Sequence, residues 1–214
     1  MLLFITAIHL TLYAKYKAND FTLYNSADDQ AAEALQSFPN ILFVSVRNVP
    51  IATVQFGDVA KAEKEKKDDI TYVRSGDTLQ ISGNTNQEGF QRPVTLYVPA
   101  NVTLSAFNSS LTFAPGNKTA QNNPSIYLQK SSAVFPGLKG AFQLGHLSIQ
   151  AVDSSLVVFD ENTQVNQLDL RLSNSSVQSI ESRIGQLSIV TDSLSRISLP
   201  AHQLLKATIK NTTE

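Results

Sequence analysis

Two of the three histidines, those outside the hydrophobic segment that holds His9, and a scattering of carboxylates are the residues whose types could do chemistry. Nucleophilic catalysis of the Ser-His-acid kind needs an imidazole beside a serine hydroxyl. A zinc site needs three or four converging ligands. His146, in Gly145-His-Leu147, and His202, after Pro200-Ala201, have no second ligand at helical or hairpin spacing, and both read as turn positions. No G-x-S-x-G elbow, P-loop, G-x-G-x-x-G or H-E-x-x-H motif occurs. The chain has no cysteine, which excludes disulfides, thiolate metal sites and a cysteine nucleophile. No catalytic, cofactor-binding or metal-ligating residue is therefore assigned, and no cofactor is expected.

Acids could still act on carbohydrate as a pair, for which the two carboxyls must stand about 5–9 Å apart. Asp153 and Asp192 share a position in the repeat described below but are separated by the segment carrying Asn174. At a strand spacing of about 4.8 Å that places them near 10 Å apart. Asp160, Glu161, Asp169 and Glu181 fall at other positions. Glu161 and Glu181 are twenty residues apart and could stack, with Arg183 close enough for an ordinary salt bridge.

The elements that must carry these residues follow from a recurring phrase. Val102-Thr-Leu104 precedes Asn108-Ser-Ser-Leu111, and Leu147-Ser-Ile149 precedes Asp153-Ser-Ser-Leu156. Leu168-Asp-Leu170 precedes Asn174-Ser-Ser-Val177, and Leu187-Ser-Ile189 precedes Asp192-Ser-Leu-Ser195. Markers at Val102, Ile126, Leu147, Leu168, Leu187 and Ala207 recur at intervals of 24, 21, 21, 19 and 20. This is the signature of a parallel β-helix, a solenoid of about twenty residues per coil. Apolar triplets point inward by strand alternation, and Asx-Ser turns stack at the corners, with Lys130 breaking the series. A β-sandwich, the competing architecture, has no reason to repeat the same turn letters. Phe107, Phe113, Tyr127, Phe135, Phe142 and Phe159 fall in or beside the repeats, mostly as stacked core, with an outward subset available to a glycan or protein. Five N-glycosylation sequons, at Asn101, Asn108, Asn117, Asn174 and Asn211, are mostly by-products of the corner chemistry.

Residues 1–19 form a hydrophobic segment, with Met1–Ala14 apolar and Lys15 and Lys17 directly after it. Fourteen residues rise about 21 Å as a helix, short of the roughly 30 Å hydrocarbon core. A short membrane anchor is favoured over a signal peptide, which would need a basic start and a small-x-small cleavage site. A buried soluble element is the third alternative. Residues 20–39 read as a linker with a short helix over Ser26–Leu35, and 40–214 as the β-helical domain. Within it, Ile41–Val46, Ile51–Phe56, Ile70–Val73, Thr78–Ser82 and Val94–Val98 are strands, with a hairpin at Ser75-Gly-Asp77. Asp58–Asp69 packs nine charges into twelve residues and reads as a solvated strand edge, loop or short helix.

The order of a hydrophobic segment, Phe43-Val-Ser-Val46, a strand ending at Gly57-Asp58, Ser75-Gly-Asp-Thr-Leu-Gln-Ile81, Leu96-Tyr-Val-Pro99 and coils of about twenty residues resembles the bacterial auto-transporter adhesin, head-GIN domain family. The resemblance spans roughly residues 40–210. It implies an exported, envelope-associated β-helical domain. The chain departs from the family at its corners, where Asn/Asp-Ser-Ser replaces Gly-Ser-Gly.

The expected fold is therefore all-β, a right-handed parallel β-helix with an N-terminal hydrophobic helix. The expected function is non-enzymatic binding or scaffolding, adhesin-like, on the extracytoplasmic side of a membrane reached through the N-terminal segment. A protein or glycan ligand and self-association through the last strand, guarded by Lys206 and Lys210, are the expected partners. A carbohydrate-active lyase or glycosidase is the alternative. A net charge of −1 with 16% charged residues provides no electrostatic footprint for nucleic acid.

Overall fold

The structure is a computed structural model that describes residues 35–63, 70–84, 93–114, 123–136 and 142–211. The hydrophobic segment 1–19 and the helix expected over Ser26–Leu35, except for its last residue, lie outside the described residues. Leu35 itself opens a strand. Chain order is β1 (Leu35–Phe38), β2 (Phe43–Arg47), β3 (Ala52–Gly57), β4 (Ala60–Glu63), β5 (Ile70–Ser75), β6 (Thr78–Gly83), β7 (Val94–Pro99), β8 (Thr103–Phe107) and β9 (Ser110–Ala114). There follow β10 (Ser125–Gln129), β11 (Ser132–Phe135), β12 (Phe142–Val152), β13 (Leu156–Phe159), β14 (Thr163–Ser173), β15 (Ser176–Ser179), β16 (Arg183–Thr191) and β17 (Arg196–Ser198). A one-turn helix α1 (Ala201–Leu204) and β18 (Thr208–Asn211) close the sequence of elements.

These strands make two nine-stranded mixed sheets. The first runs β1-β4-β7-β3-β9-β11-β13-β15-β17, and the second β18-β16-β14-β12-β10-β8-β2-β6-β5. From β8 onward the chain alternates between them, and each strand pairs in parallel with the strand two elements away. Only the N-proximal end is antiparallel: β1 and β4 stack on β7, and β5 folds back on β6 around Gly76, whose φ is 63°. A residue without a Cβ meets no steric penalty there. The strand β6 does not follow β2 toward β8. It lies on the opposite side of β2, just as β7 lies on the opposite side of β3 from β9.

The two inner faces share one core. In the second sheet a column of apolar residues runs through Leu79, Val44, Leu104, Ile126, Ile149, Leu170 and Ile189 to Ile209. Ile126 thus pairs with Leu104 and Ile149, one pleat away from the Val102 and Leu147 position expected for it. Pro124 takes that position, where it opens the strand and its carbonyl still accepts from the Ser148 N–H. In the first sheet Phe56, Phe113, Phe135 and Phe159 stack with successive centroid distances of 5.9, 4.5 and 4.9 Å. Phe142, opening β12, closes on Phe56 and Phe135. The next position after Phe159 is Ser179, where the stack ends.

The corners between the sheets carry a second ladder. Asn48, Asn108, Lys130, Asp153 and Asn174 each follow a strand of the second sheet and each has φ between 46° and 55°. Asn and Asp tolerate this left-handed region better than other L-residues. Lys130, read from sequence as a break in the series, keeps the same conformation at φ 49°. At four of the five corners, all but that of Asn48, a buried serine stands on the far side. Ser109, Ser131, Ser155 and Ser175 each donate Oγ to a carbonyl two or three residues back, at 2.6–2.9 Å. Each Oγ also accepts a backbone N–H from the neighbouring corner. The chain runs Val49 to Ser109, Ser109 to Ser131, Ser131 to Ser155, Ser155 to Ser175 and Ser175 to Ser195, at 3.1–3.2 Å. Buried backbone donors at every corner are thereby satisfied.

Candidate functional site

Strands β12, β14 and β16 are the longest, and each contains the same irregularity. Leu144-Gly-His-Leu147, Val165-Asn-Gln-Leu168 and Ile184-Gly-Gln-Leu187 put two residues between inward-facing side chains where alternation demands one. Pairing is continuous on both sides but absent at Gly145, Asn166 and Gly185. The same extra residue sits on all three strands, so these bulges match one another in register rather than opposing two residues to one, and the hollows described next lie along them. Gly185 is required there, because a Cβ would stand 2.6 Å from the Asn166 carbonyl oxygen.

Three adjoining hollows follow this line. One of ≈ 800 Å³ is lined by Gln164, Asn166, Glu181, Arg183, Gly185 and His202, among others. The next involves Asn123, His146, Gln167 and Gln186, and the third Asp169, Ser188 and Lys206. Two outward rows flank the floor, Gln143-Gln164-Arg183 on one side and His146-Gln167-Gln186 on the other. The result is an open groove with side-chain amides on both banks.

The site residues weighed from sequence fall as follows. His146 lies inside β12 at the bulge, and its Nε2 is 2.6 Å from Asp169 Oδ2. Gln167 Nε2 donates to the same oxygen at 3.2 Å, and the His146 N–H donates to Asn123 Oδ1 at 2.8 Å. An imidazole and a carboxylate are therefore brought together, with no serine among the described residues bonded to either. His202 stands exposed on α1 at the other end of the groove. The turn positions expected for both histidines are replaced by a strand and a helix, because the bulge and Pro200 reshape the two segments.

Asp153 and Asp192 serve the corners. Asp153 accepts the Gln129 amide at 2.7 Å. Asp192 accepts from Ser195 Oγ, Ser173 Oγ and the N–H groups of Asn174 and Leu194. Led by the Ser195 bond, these donors hold its carboxyl down at about 2, against an ordinary 3.8. Glu181 lines the groove and Glu161 does not. Among the described residues no group of three His, Cys, Asp or Glu could hold a metal ion. No helix among them is long and apolar enough to cross a membrane.

The aromatic expectation divides. Phe113, Phe135, Phe142 and Phe159 are buried. Phe107 and Tyr127 lie on the outer face with centroids 5.8 Å apart, and the Arg47 guanidinium sits 4.5 Å from the Phe107 centroid. The groove itself is what sequence reading missed. Its signal was the recurrence of an apolar-x-x-apolar phrase at 144, 165 and 184, within the same period as the repeat.

No family model matches this chain, and no curated protein matches it. Among solved structures it is similar to one described as a putative cell adhesion protein from Clostridium sporogenes. The two share 10% identity, the match covers 83% of this chain and 93% of that one, and the TM-score is 0.25. At that score the likeness carries no weight for function, which is argued below from the groove.

Proposed function

We propose that this chain is a non-enzymatic binding domain of the cell envelope, a right-handed parallel β-solenoid in the manner of an adhesin head. Parallel ladders with a period of about twenty residues, and corners that repeat the same serine bond, support the solenoid reading. The order of strand phrases supports the head-GIN resemblance. The apolar stretch Met1–Ala14 supports attachment to a membrane, and the head-GIN resemblance is what supports placing the β domain on its outer side.

One observation carries the binding function: a groove banked by amide side chains whose carboxylates, among the described residues, line different hollows. Glu181 lines the first and Asp169 the third, where His146 and Gln167 already engage it. Glycosidic cleavage needs its two carboxyls within about 5–9 Å. Amides instead offer both donors and acceptors, which suits recognition.

The test is cosedimentation of the full chain with insoluble cell-wall polysaccharide, followed by assay for new reducing ends. Retention without reducing ends is expected. Reducing ends that disappear in Asp169→Asn or Glu181→Gln would restore the lyase or glycosidase alternative. Protease treatment of intact cells should digest the domain, and digestion only after the cytoplasm is opened would overturn the envelope assignment. Self-association is a second reading, favoured by the outer edge of β18, where Ile209 is 46% exposed. Light scattering that returns only the monomer mass would remove it.

A further inference from the structure

We infer that the groove across β12, β14 and β16 takes an uncharged oligosaccharide chain, lying along the direction in which the strands stack. This rests on the binding reading above and narrows it to a ligand class.

Three features lead to it. The first is how little the floor of the groove offers a peptide backbone. Extended peptides can bind by adding a strand to a free sheet edge. Here β14 is flanked through the groove by β12 and β16, while β10 joins β12 only from Ser148 onward and β18 joins β16 only from Ser188 onward. Strand edges are left only at the two ends of the groove, so along its floor recognition must come from side chains.

The second feature is charge. The lining holds Arg183 and Lys206 against Asp169 and Glu181, and Asp169 is already engaged by His146 and Gln167. An acidic polymer or a nucleic acid would need a surplus of cations, and the described lining residues supply none. Asn123, Gln164, Asn166, Gln167 and Gln186 are neutral, and each presents a donor and an acceptor. Sugar hydroxyls likewise donate and accept, so amides can meet them in either orientation.

The third is periodicity. Gln143, Gln164 and Arg183 share one register row, and His146, Gln167 and Gln186 another. Polar groups therefore recur at the strand spacing of about 4.8 Å along the groove. A ligand with polar groups repeating along its length satisfies such rows, whereas a compact metabolite would use only one rung. The floor of Gly145, Asn166 and Gly185 leaves depth for rings between the banks.

The experiment uses the full chain and its Gln167→Ala/Gln186→Ala double variant, whose altered residues are exposed and outside the core. Hexasaccharides of β-linked glucose, N-acetylglucosamine and mannose are titrated by calorimetry and by amide chemical shifts. Oligogalacturonate and an unfolded, carboxymethylated polypeptide serve as the acidic and peptide arms. At least one neutral hexasaccharide is expected to bind, shifting Asn166, Gln167 and Gln186, with affinity roughly tenfold weaker or worse in the variant. Thermal melting of the variant should match the parent, which keeps lost binding separate from lost folding. Preference for oligogalacturonate or the polypeptide overturns the ligand class and leaves the binding function standing. So does the absence of any neutral complex, or one indifferent to the double variant. Cleavage of a bound neutral hexasaccharide would overturn the non-enzymatic reading and leave the ligand class standing.

Discussion

Replacing Ser131 by alanine tests whether the serine ladder holds the corners together. Ser131 is 6% exposed, donates Oγ to the Gln129 carbonyl at 2.7 Å and accepts the Ser109 N–H at 3.1 Å. After Ser131→Ala the Gln129 carbonyl keeps a second partner, the Asn108 N–H at 3.0 Å. The Ser109 N–H keeps none. Stranding one buried donor costs about 1–3 kcal/mol, so a loss of about 2 kcal/mol is expected. At this chain length that lowers the melting temperature by about 4–8 °C. The control is Ser132→Ala, one residue further on, where the hydroxyl faces outward and meets only Ser110 Oγ. That change should stay within about 0.5 kcal/mol. Urea unfolding followed by circular dichroism measures both, and hydrogen exchange reports on the Ser109 amide directly. Equal stability of the two variants, or unchanged protection of that amide, would refute the ladder as a source of stability.

Other expectations come from the same geometry. Phe135→Ala removes a fully buried ring stacked on both sides, and a loss of about 3–5 kcal/mol in urea unfolding is expected. Phe107→Ala, on the outer face, should cost much less. Gly185→Ala forces a Cβ against the Asn166 carbonyl and should cost about 1–3 kcal/mol, whereas Gly57→Ala meets nothing within 4 Å and should be tolerated. Lys130→Asn places a residue suited to left-handed backbone at φ 49° and should raise stability by about 0.5–1 kcal/mol. Because the Asp192 carboxyl is held at about 2 in the fold and titrates near 3.8 when unfolded, its contribution is complete above pH 4. It is lost as the pH falls from about 4 to about 2, and Asp192→Asn should flatten that part of the urea-midpoint profile.

The strands, their period and their inner faces were legible because each rests on local rules. Pleating alternates side chains, so Leu147-Ser-Ile149 and Leu168-Asp-Leu170 declare which residues face the core. Asn and Asp at the corners declare left-handed backbone. Lys130 hid its corner because lysine has no such preference, and only the neighbouring rungs force it there. Pro124 hid its register because a proline reads as a break, although at the start of a strand its missing N–H costs nothing. The bulged phrases at 144, 165 and 184 were visible one by one. Their alignment into a groove depends on three strands pairing in register, which no single phrase contains.

The chain by itself determined an all-β protein with a period near twenty, serine-lined corners and apolar inner faces, since those follow from what each residue does with its immediate backbone. Only the tertiary structure decided that β6 and β7 pass to the far side of β2 and β3 while β8 and β9 take the near side. A strand offers the same hydrogen-bonding ladder at both edges, so its sequence cannot choose between them. Long-range pairing chooses, with β1, β4 and β5 covering one end of the sheets and leaving the growing edge to the repeats.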